Sequence, residues 1–171
     1  ARVIKEPTRG YGRALKAGFD NASGEIIVTA DADGTYPVDD IPRLLDIFKS
    51  NDLDFLSTDR FALMNGNTMS RRNKLGNKAL TATSRTLFGL DIRDSQSGMW
   101  VFRKSLLPQM NLRYDSMAFS QEIKIEACYF LKARWIQVPI EYRCRLGKAK
   151  LRGWRDGFGN LLALLSKRIS R

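Results

Sequence analysis

At 171 residues and 43% hydrophobic side chains, the chain is long enough to close one domain around a real core. It has no histidine and only two cysteines, Cys128 and Cys144, which excludes the commonest general base and a disulfide framework and favours a reducing compartment. Lys and Arg outnumber Asp and Glu by 29 to 18, a formal charge of +11 that expects phosphate or an anionic surface, while no apolar run approaches the roughly 20 residues of a membrane span and Ala1–Pro7 does not read as a signal peptide.

Taken in chain order, Arg2–Lys5 predicts a short strand. Gly10–Asn21 predicts a helix whose apolar face is Ala14, Leu15, Ala17, Gly18 and Phe19. Glu25–Ala30 is a buried strand that runs into Asp31-Ala32-Asp33-Gly34. A helix over Val38–Lys49 follows, with Ile41, Leu44, Leu45 and Phe48 on one face, and then a strand over Asp54–Thr58. This alternation predicts a mostly parallel sheet covered on both sides. Phe61–Met69 reads as loop and Ser70–Phe88 as a long helix opening on Arg71-Arg72-Asn73-Lys74. Gly98–Arg103 is a strand, Phe119–Leu131 a helix, and Trp135–Tyr142 a strand in which Pro139 marks an edge or bulge. The last helix, Trp154–Ile169, spaces Trp154, Phe158, Leu161, Leu162, Leu165 and Ile169 helically, which fits either packing on the domain or lying at a lipid interface.

Chemistry concentrates at a few places. Asp31 and Asp33, one residue apart at a strand end, can hold a divalent cation against a diphosphate; the plainer reading is a solvated turn. Arg9-Gly10-Tyr11-Gly12 opens a helix and could receive an anion, or simply make a glycine turn. Asp94-Ser95-Gln96-Ser97 places an acid before a strand, either to take a proton or orient an attacking oxygen, or to form an Asx turn. Glu122 near a helix start could face a substrate or be a solvated first-turn acid. The bases fall into three groups: Arg60, Arg71 with Arg72, and Arg143, Arg145, Lys148 and Lys150 around Gly147. From Arg143 onward there are nine basic residues and one acid. The aromatics are not interleaved with these charges as a nucleic-acid stacking platform requires, so nucleic acid is not expected as a partner.

In this order, R-G-Y-G-R-A-L-K-A-G-F, D-A-D-G-T-Y-P, D-S-Q-S-G-M-W-V-F-R, F-S-Q-E-I and V-P-I-E-Y-R-C-R-L-G-K-A-K-L resemble glycosyltransferase family 2, and within it the polyprenyl-phosphate glycosyltransferases typified by dolichol-phosphate mannose synthases. The resemblance runs from Arg9 to Phe158. It implies an α/β nucleotide-diphosphosugar transferase (GT-A-like) fold and inverting transfer of a hexose from GDP-mannose or UDP-glucose type donors to a polyprenyl phosphate. The setting it implies is the cytoplasmic face of an anionic membrane, with this segment peripheral.

By position, the resemblance makes Asp31 and Asp33 the acids for Mg²⁺ or Mn²⁺ and the diphosphate. Asp94 becomes the base or acceptor-orienting group, and Glu122 a neighbour of the sugar. Arg9, Gly10, Arg60, Arg71, Arg72, Gln96, Arg143, Arg145, Lys148 and Lys150 become binders of donor and acceptor. Thr35 stands where the mannose synthases can supply an amide ligand, which leaves the third protein ligand open. The family's Asn-Glu-Glu and Asp-Asp-Gly-Ser motifs are missing ahead of Ala1. Residues 1–153 are therefore expected to be the C-terminal two thirds of a catalytic domain, inactive alone, with 154–171 an amphipathic, interfacial helix. Transfer to a glycolipid or polysaccharide, and an inactive fragment, are the alternatives.

Overall fold

The computed structural model describes residues 2–64, 68–147 and 153–169, with side chains in the last stretch from Gly157. Helix α1 spans Tyr11–Asn21, β1 Ile26–Val28, α2 Ile41–Ser50, β2 Phe55–Asp59, α3 Arg71–Phe88, β3 Trp100–Arg103, α4 Phe119–Ile125, β4 Trp135–Pro139 and α5 Gly153–Ile169. The four described strands form one sheet in the order β1-β3-β2-β4. Both β1 and β2 run antiparallel to β3, and β2 is parallel to β4, so the sheet is mixed rather than mostly parallel. The cause is β3, which inserts between β1 and β2 in reverse; a local apolar pattern encodes burial, not strand direction. Pro139 closes β4, at an edge of the described sheet, where a missing N–H costs no ladder bond.

Two hydrophobic layers cover the sheet. On one face Phe19, Phe55, Trp100, Phe102, Phe119 and Ile123 pack together, and Phe19 meets Phe102 edge-on at 5.3 Å. On the other, Leu44 and Phe48 of α2 close over Leu56, Met99 and Val101. The anticipated strand at Arg2–Lys5 is absent: these residues find no strand to pair with, and Val3 and Ile4 are exposed. The helix anticipated over Phe119–Leu131 changes at Glu126 into a π-helical turn, Glu126–Phe130.

Helix α3 starts where Ser70 accepts a hydrogen bond from the Asn73 amide (3.3 Å) and ends at Gly89 with φ +63°. It packs against α5 and buries Leu80, Thr81, Ser84 and Phe88, while its first turns, including Leu75, stand exposed. Helix α5 has two faces. Asn160, Ala163, Leu164 and Lys167 are buried on the body, whereas Phe158, Leu162, Leu165 and Ile169 point outward. Lys167 pins it from within, donating to Glu122 (2.9 Å) and to the Asn111 carbonyl (2.5 Å) and pairing with Glu126 (2.7 Å).

Candidate active site

The topology brings the functional segments together. Because β1 and β2 both oppose β3, and β4 follows β2, the C-terminal ends of β1, β2 and β4 and the N-terminal end of β3 lie at one edge of the sheet. Asp31 and Asp33 leave β1 there, Arg60 leaves β2, the Asp94–Gly98 turn enters β3, and Arg143–Gly147 follows β4. This is the edge at which open α/β sheets hold their ligands. A groove of about 830 Å³ between Phe19, Glu25, Arg103 and Pro108 lies at the opposite edge.

Asp31 stands beside the turn. A Cβ built on Gly98 would come within 3.7 Å of its carboxylate, 2.6 Å of the Tyr11 hydroxyl and 3.4 Å of the Tyr36 hydroxyl, so any side chain there would have to displace Tyr11. The Tyr36 hydroxyl also accepts the Gly98 amide (2.6 Å), and Thr29 bonds the Gly98 carbonyl (2.9 Å), locking the end of β1 to the start of β3. Burial raises the pKa of Asp31, and the negative charge of Asp33 raises it further, with Arg145 and Arg60 opposing. Two carboxylates are a hard-oxygen donor set that could hold Mg²⁺ or Mn²⁺. Among the described residues no cluster of three or more such ligands forms. Thr35 is buried, and its hydroxyl bonds Asp33 (2.5 Å).

The loop after β4 folds back on this acidic turn. Arg145 pairs with Asp33 at 2.5 Å, the Leu146 amide bonds the Asp33 carbonyl (2.8 Å), and the Arg143 amide bonds the Thr35 carbonyl (2.9 Å). The Arg143 side chain grips Asp39 with two bonds, 2.7 and 2.9 Å. Lys148 and Lys150 lie outside the described residues.

Asp94 has no exposure, and Arg60 binds it bidentately at 2.7 and 2.9 Å. Its oxygens also accept the Arg60 and Gln96 amides. Burial pushes this carboxyl up, but the charge and hydrogen bonds of Arg60 outweigh it and hold it below the usual range. A carboxylate engaged in this way orients Arg60 and the turn; it is poorly disposed to take up a proton. Arg60 also lies 5.3 Å from the centre of the Tyr142 ring. Gln96 donates to Gln121 (2.8 Å) and accepts from Asn160 (3.1 Å), linking the turn to α4 and α5.

The remaining expected site residues have the following surroundings. Glu122 is buried rather than solvated: it accepts the Arg113 and Tyr114 amides (2.9 and 3.0 Å) and pairs with Lys167, fixing the loop before α4. Gly10 does not offer a free helix end to an anion. The Gly12 and Arg13 amides are taken by the Asp115 carbonyl, and Cβ atoms on Gly10 or Gly12 would strike the backbone of Asp115 or Tyr114 at 2.6 Å. Close packing therefore explains these glycines, and Arg9 ahead of them is exposed. Arg71 and Arg72 are exposed on the first turn of α3, which carries no acid, so basic charge adds there to the positive end of the helix dipole. Tyr11, Tyr36 and Tyr142 lie inside the quoted motifs and Lys124 one residue after F-S-Q-E-I, but the sequence marks none of them as a site residue.

The chain has the nucleotide-diphosphosugar transferase (GT-A-like) fold. Glucosyl-3-phosphoglycerate synthase from Mycobacterium tuberculosis, solved with Mn²⁺, UDP-glucose and phosphoglyceric acid, shares the fold at TM-score 0.72 and 19% identity, over 94% of this chain and 55% of that one. The glycosyl transferase family 2 profile matches residues 1–110, and the chain belongs to that family. A dolichyl-phosphate hexose transferase of Haloferax volcanii is 32% identical over 92% of this chain and 67% of its own length. The low-salt glycan biosynthesis hexosyltransferase Agl6 of the same organism is 30% identical over 96% of this chain, which spans only 40% of that relative. A dolichol-phosphate mannosyltransferase of Pyrococcus furiosus is 28% identical over 88% of this chain and 43% of its own length.

Proposed function

We propose that this domain belongs to an inverting hexosyltransferase that moves a sugar from a nucleotide-diphosphate donor of the GDP-mannose or UDP-glucose type to a polyprenyl phosphate, at the cytoplasmic face of a membrane. The observation that carries the reading is the meeting of Asp31 and Asp33 with Arg145, the Arg60–Asp94 pair and Gln96 at one sheet edge. The printed names of the Haloferax and Pyrococcus relatives support a lipid-phosphate acceptor. Asp31 and Asp33 would hold Mg²⁺ or Mn²⁺, which would supply positive charge toward a nucleoside diphosphate leaving group.

The chain's own residues do the rest. Arg145, released from Asp33, meets the diphosphate, and Arg143 anchors the loop through Asp39. Arg60, held rigid by Asp94, presents fixed charge at the site. A phosphate monoester is already ionised near neutral pH, so its oxygen attacks the anomeric carbon without a strong general base, in keeping with a chain that has no histidine. The basic first turn of α3 and the outward apolar row of α5 suit an anionic bilayer surface.

The test is transfer from radiolabelled GDP-mannose or UDP-glucose by the full-length protein. The expected result is Mn²⁺-dependent label in the organic phase only when polyprenyl phosphate is present. Label appearing only in water-soluble products would overturn the lipid acceptor.

A further inference from the structure

Lys124 is a buried ammonium to which the mechanism above gives no part. It projects from α4 with 1% exposure, 5.2 Å from the centre of the Trp100 ring. Its Nζ donates to three backbone carbonyls: Ser97 at 2.5 Å, Ser95 at 2.9 Å and Ser120 at 3.0 Å. Ser97 O has further donors in Trp100 Nε1 (2.7 Å) and Ser120 Oγ (3.0 Å). The first two carbonyls belong to the turn that carries Asp94 and Gln96.

We propose that Lys124 is a positioning residue, the post on which the Asp94–Ser97 turn is built, so that Gln96 and the Arg60–Asp94 pair stand ready for transfer although Lys124 touches no substrate. The proposal rests on the reading under Proposed function. A buried ammonium costs folding energy unless its hydrogens are matched. Here three hydrogens meet three carbonyls, and the carboxylate that attracts it, Asp94, is bound to Arg60 instead. The charged or titratable groups that act on it are Asp94 in the turn, Arg60 after β2 and Cys128 further along its own helical segment. Burial pushes the amine down to about 7, against the pull of Asp94. A neutral amine has two hydrogens for three carbonyls, so the turn loses a bond as the pH rises past neutrality.

The full-length protein is compared with Lys124→Met and Lys124→Arg by amide hydrogen exchange and by kcat and KM against pH. In wild type, protection of the Ser95–Gly98 amides is expected to fall between about pH 6.5 and 8.5 while that of β3 holds, with kcat falling alongside. Lys124→Met is expected to lose that pH dependence, to lose turn protection at every pH, and to lower kcat about a hundredfold with donor KM changed less than about threefold. Lys124→Arg, charged throughout, is expected to recover part of kcat without the alkaline fall. Unchanged turn protection with kcat near wild type in Lys124→Met would overturn the proposal. Should the variants not fold, pH-independent turn protection in wild type overturns it equally. If wild type transfers no sugar to any acceptor, the functional reading fails, and the exchange measurements still decide whether Lys124 holds the turn.

Discussion

The two sides of the site are built differently. On one, Arg60 and Asp94 are 8% and 0% exposed and bonded in a fork, and the Asp94 turn is tied to Gln137 of β4 and to Lys124. On the other, Asp33 and Arg145 make one ion pair at 19% and 33% exposure, on a turn and a loop joined by two backbone bonds. A saturated, dry pair is expensive to disturb and so holds a shape. A half-exposed pair is cheap to break and can exchange its partner for a metal or a diphosphate.

The largest effect expected from breaking this contrast is on the rigid side. Asp94→Ala strands a buried guanidinium and should cost about 3 to 5 kcal/mol of stability, read from denaturant midpoints. The Asp94 pKa is depressed in the folded state, so the stability it contributes is fully present above its unfolded value of about 4 and is lost as the pH falls through the native pKa. The gap between wild type and Asp94→Ala should accordingly be flat from pH 7 to about 5 and narrow below about 4. A gap that narrows near pH 6 would mean that the pair does not account for the loss.

On the open side Asp33→Asn should leave stability nearly unchanged and lower kcat about 10²- to 10³-fold in the full-length enzyme. The smallest effect sharpens the picture most. Arg145→Ala, by removing the cation already resting on Asp33, should tighten Mn²⁺ alone about tenfold, or ~1.4 kcal/mol, and weaken nucleoside diphosphate. Weaker binding of both would show that Arg145 does not compete with the metal.

Much of the fold was legible because its signals are local. The long helix after Met69, the periodic face of α2 and the strand ahead of Asp31 all appear where the sequence places them. What was not legible depends on distant partners. The reversal of β3 is a property of its neighbours, and Arg2–Lys5 has strand character without a strand beside it. Glu122 looks like a helix-start acid until Lys167, far along the chain, pairs with it. Lys124 belongs to no motif that the sequence singles out, yet it is buried where three carbonyls converge on it. Asp31 and Asp33 were found by motif; their arginine partner became visible only once the loop after β4 was folded over them.

The central claim is that the acidic turn after β1 grips a metal together with the donor's diphosphate. Binding of Mn²⁺ in the presence of nucleoside diphosphate, followed by electron paramagnetic resonance in the full-length protein and in Asp33→Asn, tests it most directly. The account predicts one bound Mn²⁺ in wild type and its loss in Asp33→Asn, with the variant still folded. Undiminished Mn²⁺ binding by folded Asp33→Asn would contradict it.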